Sequence, residues 1–135
     1  MKAIADTGPL VALLNRRDGH HEWAMEAFDR AEKPLLTCEA VLAEAAFQTG
    51  LPDVILAMLQ DGVLELRFDM NQNLPHLIEL AARFADRSPD LADLCLIRMS
   101  ELYPKHVVVT VDEADFRVYR RNKREAIPLL CPPRR

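Results

Sequence analysis

The sequence predicts an α/β protein of three layers, α/β/α, around a central and mostly parallel sheet of about five strands. Three observations predict it. Short apolar or β-branched segments alternate with segments of helical periodicity along the whole chain. The junctions carry residues that start or stop helices, notably Gly50, Pro52 and Ser88-Pro89-Asp90. No internal repeat, low-complexity tract or domain-sized linker interrupts the alternation, so residues 1–135 read as a single domain.

The elements follow in order. Lys2 to Asp6 reads as a short buried strand running into turn chemistry at Thr7-Gly8-Pro9, with Asp6 at its carboxyl end. Leu10 to Asn15 reads as helix and Arg16 to Gly19 as loop. His20 to Ala31 has Trp23, Ala24, Ala27, Phe28 and Ala31 at helical spacing. Pro34 to Thr37 is a second strand. A helix from Glu39 to Gln48 stops at Gly50, and Pro52 opens another that runs to Gly62. Val63 to Phe68 reads as the third strand, Asp69 to Asn73 as a polar turn, and Pro75 to Phe84 as helix. Ser88-Pro89-Asp90 has the form of a helix start, with Ser88 as cap and Pro89 in the first helical position, and that helix runs to Glu101. Val107-Val108-Val109 centres a fourth strand over His106 to Thr110. A short helix follows Asp112, and Ala126 to Leu130 is the fifth strand.

Composition narrows the class. Half of the residues are hydrophobic and only 6% aromatic, which calls for an aliphatic interior rather than a disordered or fibrous chain. No apolar run approaches the roughly 20 residues that span a bilayer, and the first strand holds Asp6, so a cytoplasmic protein without a membrane segment is expected. Cys38, Cys95 and Cys131 share no metal-ligand spacing and read as reduced thiols, the first two in apolar surroundings. The net charge of −4 argues against a general polyanion binder. Its distribution is uneven, because the stretch from Glu113 to Arg135 carries seven basic and three acidic residues, leaving −8 on the remainder.

In a parallel sheet, functional groups gather at the carboxyl ends of the strands. Asp6 and Asp112 lie there. Asp93 projects from the first turns of a helix, three residues after Asp90. Glu44 sits within the apolar helix Ala40 to Phe47, where a charge is costly unless something compensates it. Taken singly, each acid has an ordinary reading as cap, dipole partner, turn residue or surface charge. Taken together they form a pocket of carboxylates that would hold protons unless a cation sits among them. Oxygen ligands without His or Cys suit Mg²⁺ or Mn²⁺.

Four segments carry a resemblance. They are Ile4-Ala5-Asp6-Thr7-Gly8-Pro9-Leu10, Val41-Leu42-Ala43-Glu44, Asp90-Leu91-Ala92-Asp93 and Val109-Thr110-Val111-Asp112-Glu113-Ala114-Asp115-Phe116. In this order and at these separations they closely resemble the PIN-domain family, especially its VapC-like toxin branch. The likeness extends to His21, to Tyr119-Arg120-Arg121 and to Ile127-Pro128-Leu129-Leu130. It implies a PIN-like fold in which Asp6, Glu44, Asp93 and Asp112 take the metal-site positions, with Thr7, Asp90 and Thr110 supporting them. It implies hydrolysis of RNA phosphodiester bonds with one or two divalent ions, Mg²⁺ or Mn²⁺. It also implies the toxin role of a type II toxin–antitoxin pair, a homodimer, and a small antitoxin laid over the groove. Leu94 departs from the pattern, since many relatives carry Ala directly after the helix acid.

Lesser features are weighed beside these. His20 and His21 point to different sides of a helix and suit structure better than ligation. Trp23 and Phe28 suit the core, or a helix face shared with a partner, better than base stacking. A self-association face is expected around Trp23, Ala27 and Leu56. The cluster Arg117, Arg120, Arg121, Lys123 and Arg124 is either a solvated face or a set of RNA phosphate contacts. Two other functions remain open at this point. A receiver-like phospho-acceptor module also places acids at a parallel sheet's carboxyl edge, although it usually has paired acids after its first strand and a lysine at a later strand end. A PIN-like domain that binds RNA or protein without cutting is the other.

Overall fold

Short, mostly apolar segments of three residues build four of the five strands of the sheet. In the computed structural model, which describes residues 1–134, these are β1 (Ala3–Ala5), β2 (Leu35–Thr37), β3 (Leu64–Leu66) and β4 (Val107–Val109). Arg135, counted above in the basic tail, lies outside the described residues. Between β1 and β2 lie α1 (Thr7–Leu14) and α2 (His21–Arg30), and between β2 and β3 lie α3 (Glu39–Thr49) and α4 (Pro52–Gln60). Next come α5 (Leu74–Arg83) and α6 (Leu91–Leu102) before β4. The one-turn α7 (Glu113–Phe116), β5 (Arg120–Arg121), β6 (Glu125–Ala126) and β7 (Leu129–Leu130) complete the chain.

The sheet order is β3-β2-β1-β4-β7, and every pairing in it is parallel. Ile4 pairs with Leu36 on one side and with Val108 on the other, so β1 is central. Parallel crossovers are right-handed, so the steps from β1 to β3 lay α1 to α4 on one face. The return from β3 to β4 lays α5 and α6 on the other. The predicted three-layer α/β/α architecture is therefore the one observed. Ile4, Leu35, Leu64, Leu96, Ile97, Val108 and Val109 are at most 1% exposed, and each such side chain contributes roughly 1.5–3 kcal/mol through burial. The order reverses between β1 and β4, and the crevice at such a reversal, beyond the strand ends, is where open α/β sheets bind ligands.

Several boundaries differ from the expectation, each for a local reason. Helix α1 begins at Thr7 rather than Leu10, because Asp6 caps it and Pro9 falls in the first turn, where a missing N–H costs nothing. Helix α6 is capped by Asp90, not by Ser88. The Asp90 carboxylate accepts from the Asp93 N–H at 2.8 Å, while Ser88 takes a left-handed φ of 48° that closes the preceding turn. The expected strand Ala126 to Leu130 divides into β6 and β7 on either side of Pro128, which has no N–H to donate to a ladder. The antiparallel β5–β6 hairpin, turned by left-handed Asn122 and Lys123, is an element that the sequence reading did not contain. Gly50 does take the left-handed conformation at the end of α3. No helix among the described residues is long and apolar enough to cross a membrane.

Candidate metal centre

Asp6 ends β1 and caps α1, so strand and helix together fix its carboxylate at the switch in strand order. One oxygen accepts from the Thr7 N–H at 2.7 Å, and the other accepts from the Thr110 hydroxyl at 2.6 Å. Thr110 follows β4 and is fully buried. Its hydroxyl oxygen also accepts from the Asp112 N–H at 3.0 Å, so a single side chain joins the ends of β1 and β4. Gly8 permits the close approach of the two ends. A Cβ placed there would stand 2.3 Å from a Val111 methyl, closer than real contacts allow.

Asp93, Asp112 and Asp115 converge beside this junction, with one carboxylate oxygen of each lying within 4.8 Å of the others. All three are half-buried. Asp93 comes from the first turn of α6, and its Oδ2 accepts from the Tyr119 hydroxyl at 3.1 Å. Tyr119 is fully buried and set edge-on against Phe84 and Phe116, with ring centroids 5.2 Å away in each case. An aromatic donor thus holds one oxygen of Asp93, and among the described residues no side chain donates to the other. Asp112 caps α7 by accepting from the Asp115 N–H at 3.2 Å. Asp115 in turn accepts from Arg87 at 2.8 Å.

The electrostatics of the cluster follow from burial first and like charge second. Burial drives the Asp6 carboxyl up to about 6 against the hydrogen bonds from Thr110 and Thr7, with Asp90 and Asp112 adding repulsion. Burial, then the charges of Asp90 and Asp6, pushes Asp93 up to about 7 despite the Tyr119 hydrogen bond. Asp112 is raised as well, by burial and by Asp115. Without a cation Asp93 is partly protonated near neutrality and Asp6 takes up its proton just below it. The donors are all carboxylate oxygens, which fit a hard divalent cation such as Mg²⁺ or Mn²⁺ and not a soft one.

The other expected residues divide. Glu44 is half-buried on α3 and meets the site only at its edge: the Thr7 hydroxyl lies 3.5 Å from Oε2, and the Gln48 amide donates to Oε1 at 3.2 Å. Asp90 is exposed and spent as a cap, reaching the cluster by its charge alone. His21 has its Nδ1 2.7 Å from the Ala12 carbonyl, in keeping with a structural role. Ala27 is buried in the core, so the face expected around Trp23, Ala27 and Leu56 is not a continuous exposed surface.

The basic cluster requires a correction. Arg121 is buried, with its guanidinium donating to the carbonyls of Ser100 at 2.9 Å and Pro104 at 3.2 Å and to Glu125 at 3.0 Å, so it holds the hairpin to α6 and is closed to phosphate. Arg120 donates to the carbonyls of Arg117 and Tyr119, and Arg117 pairs with Glu113. Lys123 and Arg124 are exposed on a hairpin docked at Ser100 and Glu101, about two turns beyond Asp93, or roughly 11 Å along the helix. Two residues of the cluster escaped the sequence reading. Asp115 had a usable signal, since Asp112-Glu113-Ala114-Asp115 repeats the spacing of Asp90-Leu91-Ala92-Asp93. Arg87 had none, because its partner lies 28 residues away. No known family model matches the chain, and no curated protein matches it significantly.

Proposed function

We propose that the protein is a metal-dependent endoribonuclease of the PIN-domain type, and that its four-acid set extends to Asp115. The observation that carries this reading is the meeting of Asp93, Asp112 and Asp115 beside Asp6, with three of these carboxyls pushed toward their neutral forms at the switch in strand order. Asp93, Asp112 and Asp115 would hold Mg²⁺ or Mn²⁺, with Asp6 behind them fixed by Thr7 and Thr110, and Glu44 at the rim. A bound divalent ion supplies a water of lowered pKa and charge to offset that on a phosphodiester. The protein's own groups do the rest. Tyr119 orients Asp93, Thr110 aligns Asp6 with Asp112, and Arg87 presents a cation beside Asp115 for a phosphate oxygen. Both oxygens of Asp6 already accept hydrogen bonds, which suits an anchored carboxylate better than the phospho-acceptor of a receiver-like module.

The same reading includes the toxin role, a homodimer and an antitoxin. Phe47 on α3 and Leu56 on α4 are 88% and 64% exposed, and they offer apolar anchors to an amphipathic segment beside the helix that carries Glu44. The test is cleavage of single-stranded and folded RNA with Mn²⁺, with Mg²⁺ and with chelator, comparing wild type with Asp93→Asn. New RNA ends that need metal and vanish in the variant are expected. Equal cutting by both proteins, or none by wild type with either metal, overturns the reading. Expression in bacteria separates a toxin, which arrests growth, from a free-standing nuclease.

A further inference from the structure

Trp23 and Phe28 share helix α2 but differ in setting. Phe28 is buried in the core, whereas Trp23 is half-buried and lines a cavity of about 840 Å³ between the head of α2 and the chain that follows β7. His20 stands edge-on to the Trp23 indole, with ring centroids 6.4 Å apart and planes at 76°, and Pro132 and Pro133 add to the wall. Such rings offer flat apolar faces on which a base stacks. The polar lining is largely acidic. Glu22 and Glu26 are exposed and four residues apart on α2, a like-charge spacing that destabilises a helix, and no ion pair among the described residues includes either. Asp18 is already spent, accepting from the His20 N–H at 2.8 Å. Free carboxylates repel phosphate and accept from N–H groups, so they favour the donor edge of a base. Arg16, also in the lining, offers a cation to an adjoining phosphate.

The proline wall is tied to the metal centre at both ends. The Thr110 N–H donates to the Leu130 carbonyl at 3.1 Å, while the Thr110 hydroxyl holds Asp6. Beyond the prolines, Arg134 donates at 3.0 Å to Glu113, the neighbour of Asp112. Pro132 is two residues from Leu130 and so within about 7 Å of it. A nucleotide seated in the cavity is therefore close enough to adjoin one whose phosphate reaches the carboxylates.

We propose that this cavity is a base-recognition subsite of the ribonuclease, taking an unpaired guanine that flanks the scissile phosphodiester, with Trp23 as the stacking face and Glu22 and Glu26 as acceptors. Guanine fits because its pairing edge carries two adjacent donors, N1–H and the N2 amine, which one carboxylate accepts together, whereas uracil offers a single N–H. The subsite rests on the nuclease reading for its role but not for its test, which is read without cleavage.

Trp23 is the chain's single tryptophan, so its emission reports occupancy of the cavity directly. The full chain in chelator is titrated with single-stranded oligouridine RNA carrying one guanosine, with the same RNA carrying inosine, which lacks the N2 amine, and with oligouridine alone. Quenching by the guanosine RNA is expected at concentrations at least ~10-fold lower than with oligouridine, and inosine should fall between them. Replacing both Glu22→Ala and Glu26→Ala, at exposed helix positions where alanine does not disturb folding, should bring guanosine and uridine within about twofold while quenching persists. Trp23→Leu should weaken binding of labelled guanosine RNA by about 10-fold, read by fluorescence anisotropy. With Mn²⁺ added, cuts should cluster beside guanosine in wild type and scatter in the double variant. Guanosine-selective quenching with no RNA cut removes the nuclease reading and leaves the base pocket. Cutting without quenching, or equal quenching by the three RNAs, overturns the pocket and leaves the nuclease. Emission that changes with protein concentration but not with RNA marks a face between copies of this chain, and it overturns the pocket as well.

Discussion

The heads of α6 and α7 share one local motif and use it differently. Asp90-Leu91-Ala92-Asp93 and Asp112-Glu113-Ala114-Asp115 each set an aspartate at the cap, and in each the carboxylate accepts from the N–H of the aspartate three residues on. At α6 the cap Asp90 is exposed, and only Asp93 enters the acidic cluster. At α7 both Asp112 and Asp115 enter it. Helix α6 has 12 residues and a buried face running from Ala92 to Ser100, so its packing holds it whatever its cap does. Helix α7 has four residues, too few to be stable alone, and is fixed by Thr110, Arg87 and the buried Phe116. An aspartate's role thus follows from where the helix head sits relative to β1 and β4.

Substitution at the two heads tests this contrast most sharply. Asp93→Asn and Asp112→Asn should each lower Mn²⁺-dependent cleavage by at least ~100-fold, whereas Asp90→Asn should stay near wild type because Asn caps a helix equally well. A loss in Asp90→Asn as large as that in Asp93→Asn would erase the distinction between the heads. Asp115→Asn should fall between them, at about 10- to 100-fold in cleavage and in metal affinity, read by calorimetric titration with Mn²⁺. If Asp115→Asn matches wild type in both, α7 contributes only Asp112 and the heads are alike.

Acid dependence gives the next largest effect. In the unfolded chain Asp6 and Asp93 release their protons near 3.8, but in the folded protein they keep them up to about 6 and about 7. Over that window the native state binds more protons than the unfolded one, so metal-free stability falls as pH rises from about 4 to about 7. The fall should be on the order of 3 kcal/mol for Asp6, and solvent screening reduces the contribution of Asp93 below what its larger shift alone would give. Urea melts in chelator across this range should show it, and Asp93→Asn should flatten the upper part of the slope. A profile that instead rises between pH 5 and 7 contradicts the clustering of these carboxyls.

Tyr119→Phe is a finer probe of the α6 head, because it removes only the hydroxyl that holds Asp93. Mn²⁺ binding should weaken by about 10-fold with little change in melting temperature, as for other groups that orient a ligand. Unchanged affinity would mean that packing alone positions Asp93. The smallest effect belongs to Asp90→Ala, which should cost about 1 kcal/mol of stability through the lost cap and leave metal affinity within about twofold.

Much was legible before any coordinates. Asp6 at the end of the first strand, Gly50 as a helix stop and Val107-Val108-Val109 as a core strand are written in neighbouring residues, because caps, breakers and β-branched runs act over a few positions of chain. The alternation of such signals was enough to give a three-layer fold with a parallel sheet. Sequence could also nominate Asp93 and Asp112, since both stand beside the starts of recognisable elements. It could not rank Glu44 at the rim, add Asp115 and Arg87, or remove Arg121 from the exposed cations. Those outcomes depend on the order β3-β2-β1-β4-β7, which brings Thr110 to Asp6 across 104 residues and lays the β5–β6 hairpin against the far end of α6. Burial and charge proximity are properties of that assembled arrangement, so the carboxyls' raised proton affinity and the closing off of Arg121 exist only once the strands have paired and the helices have packed over them.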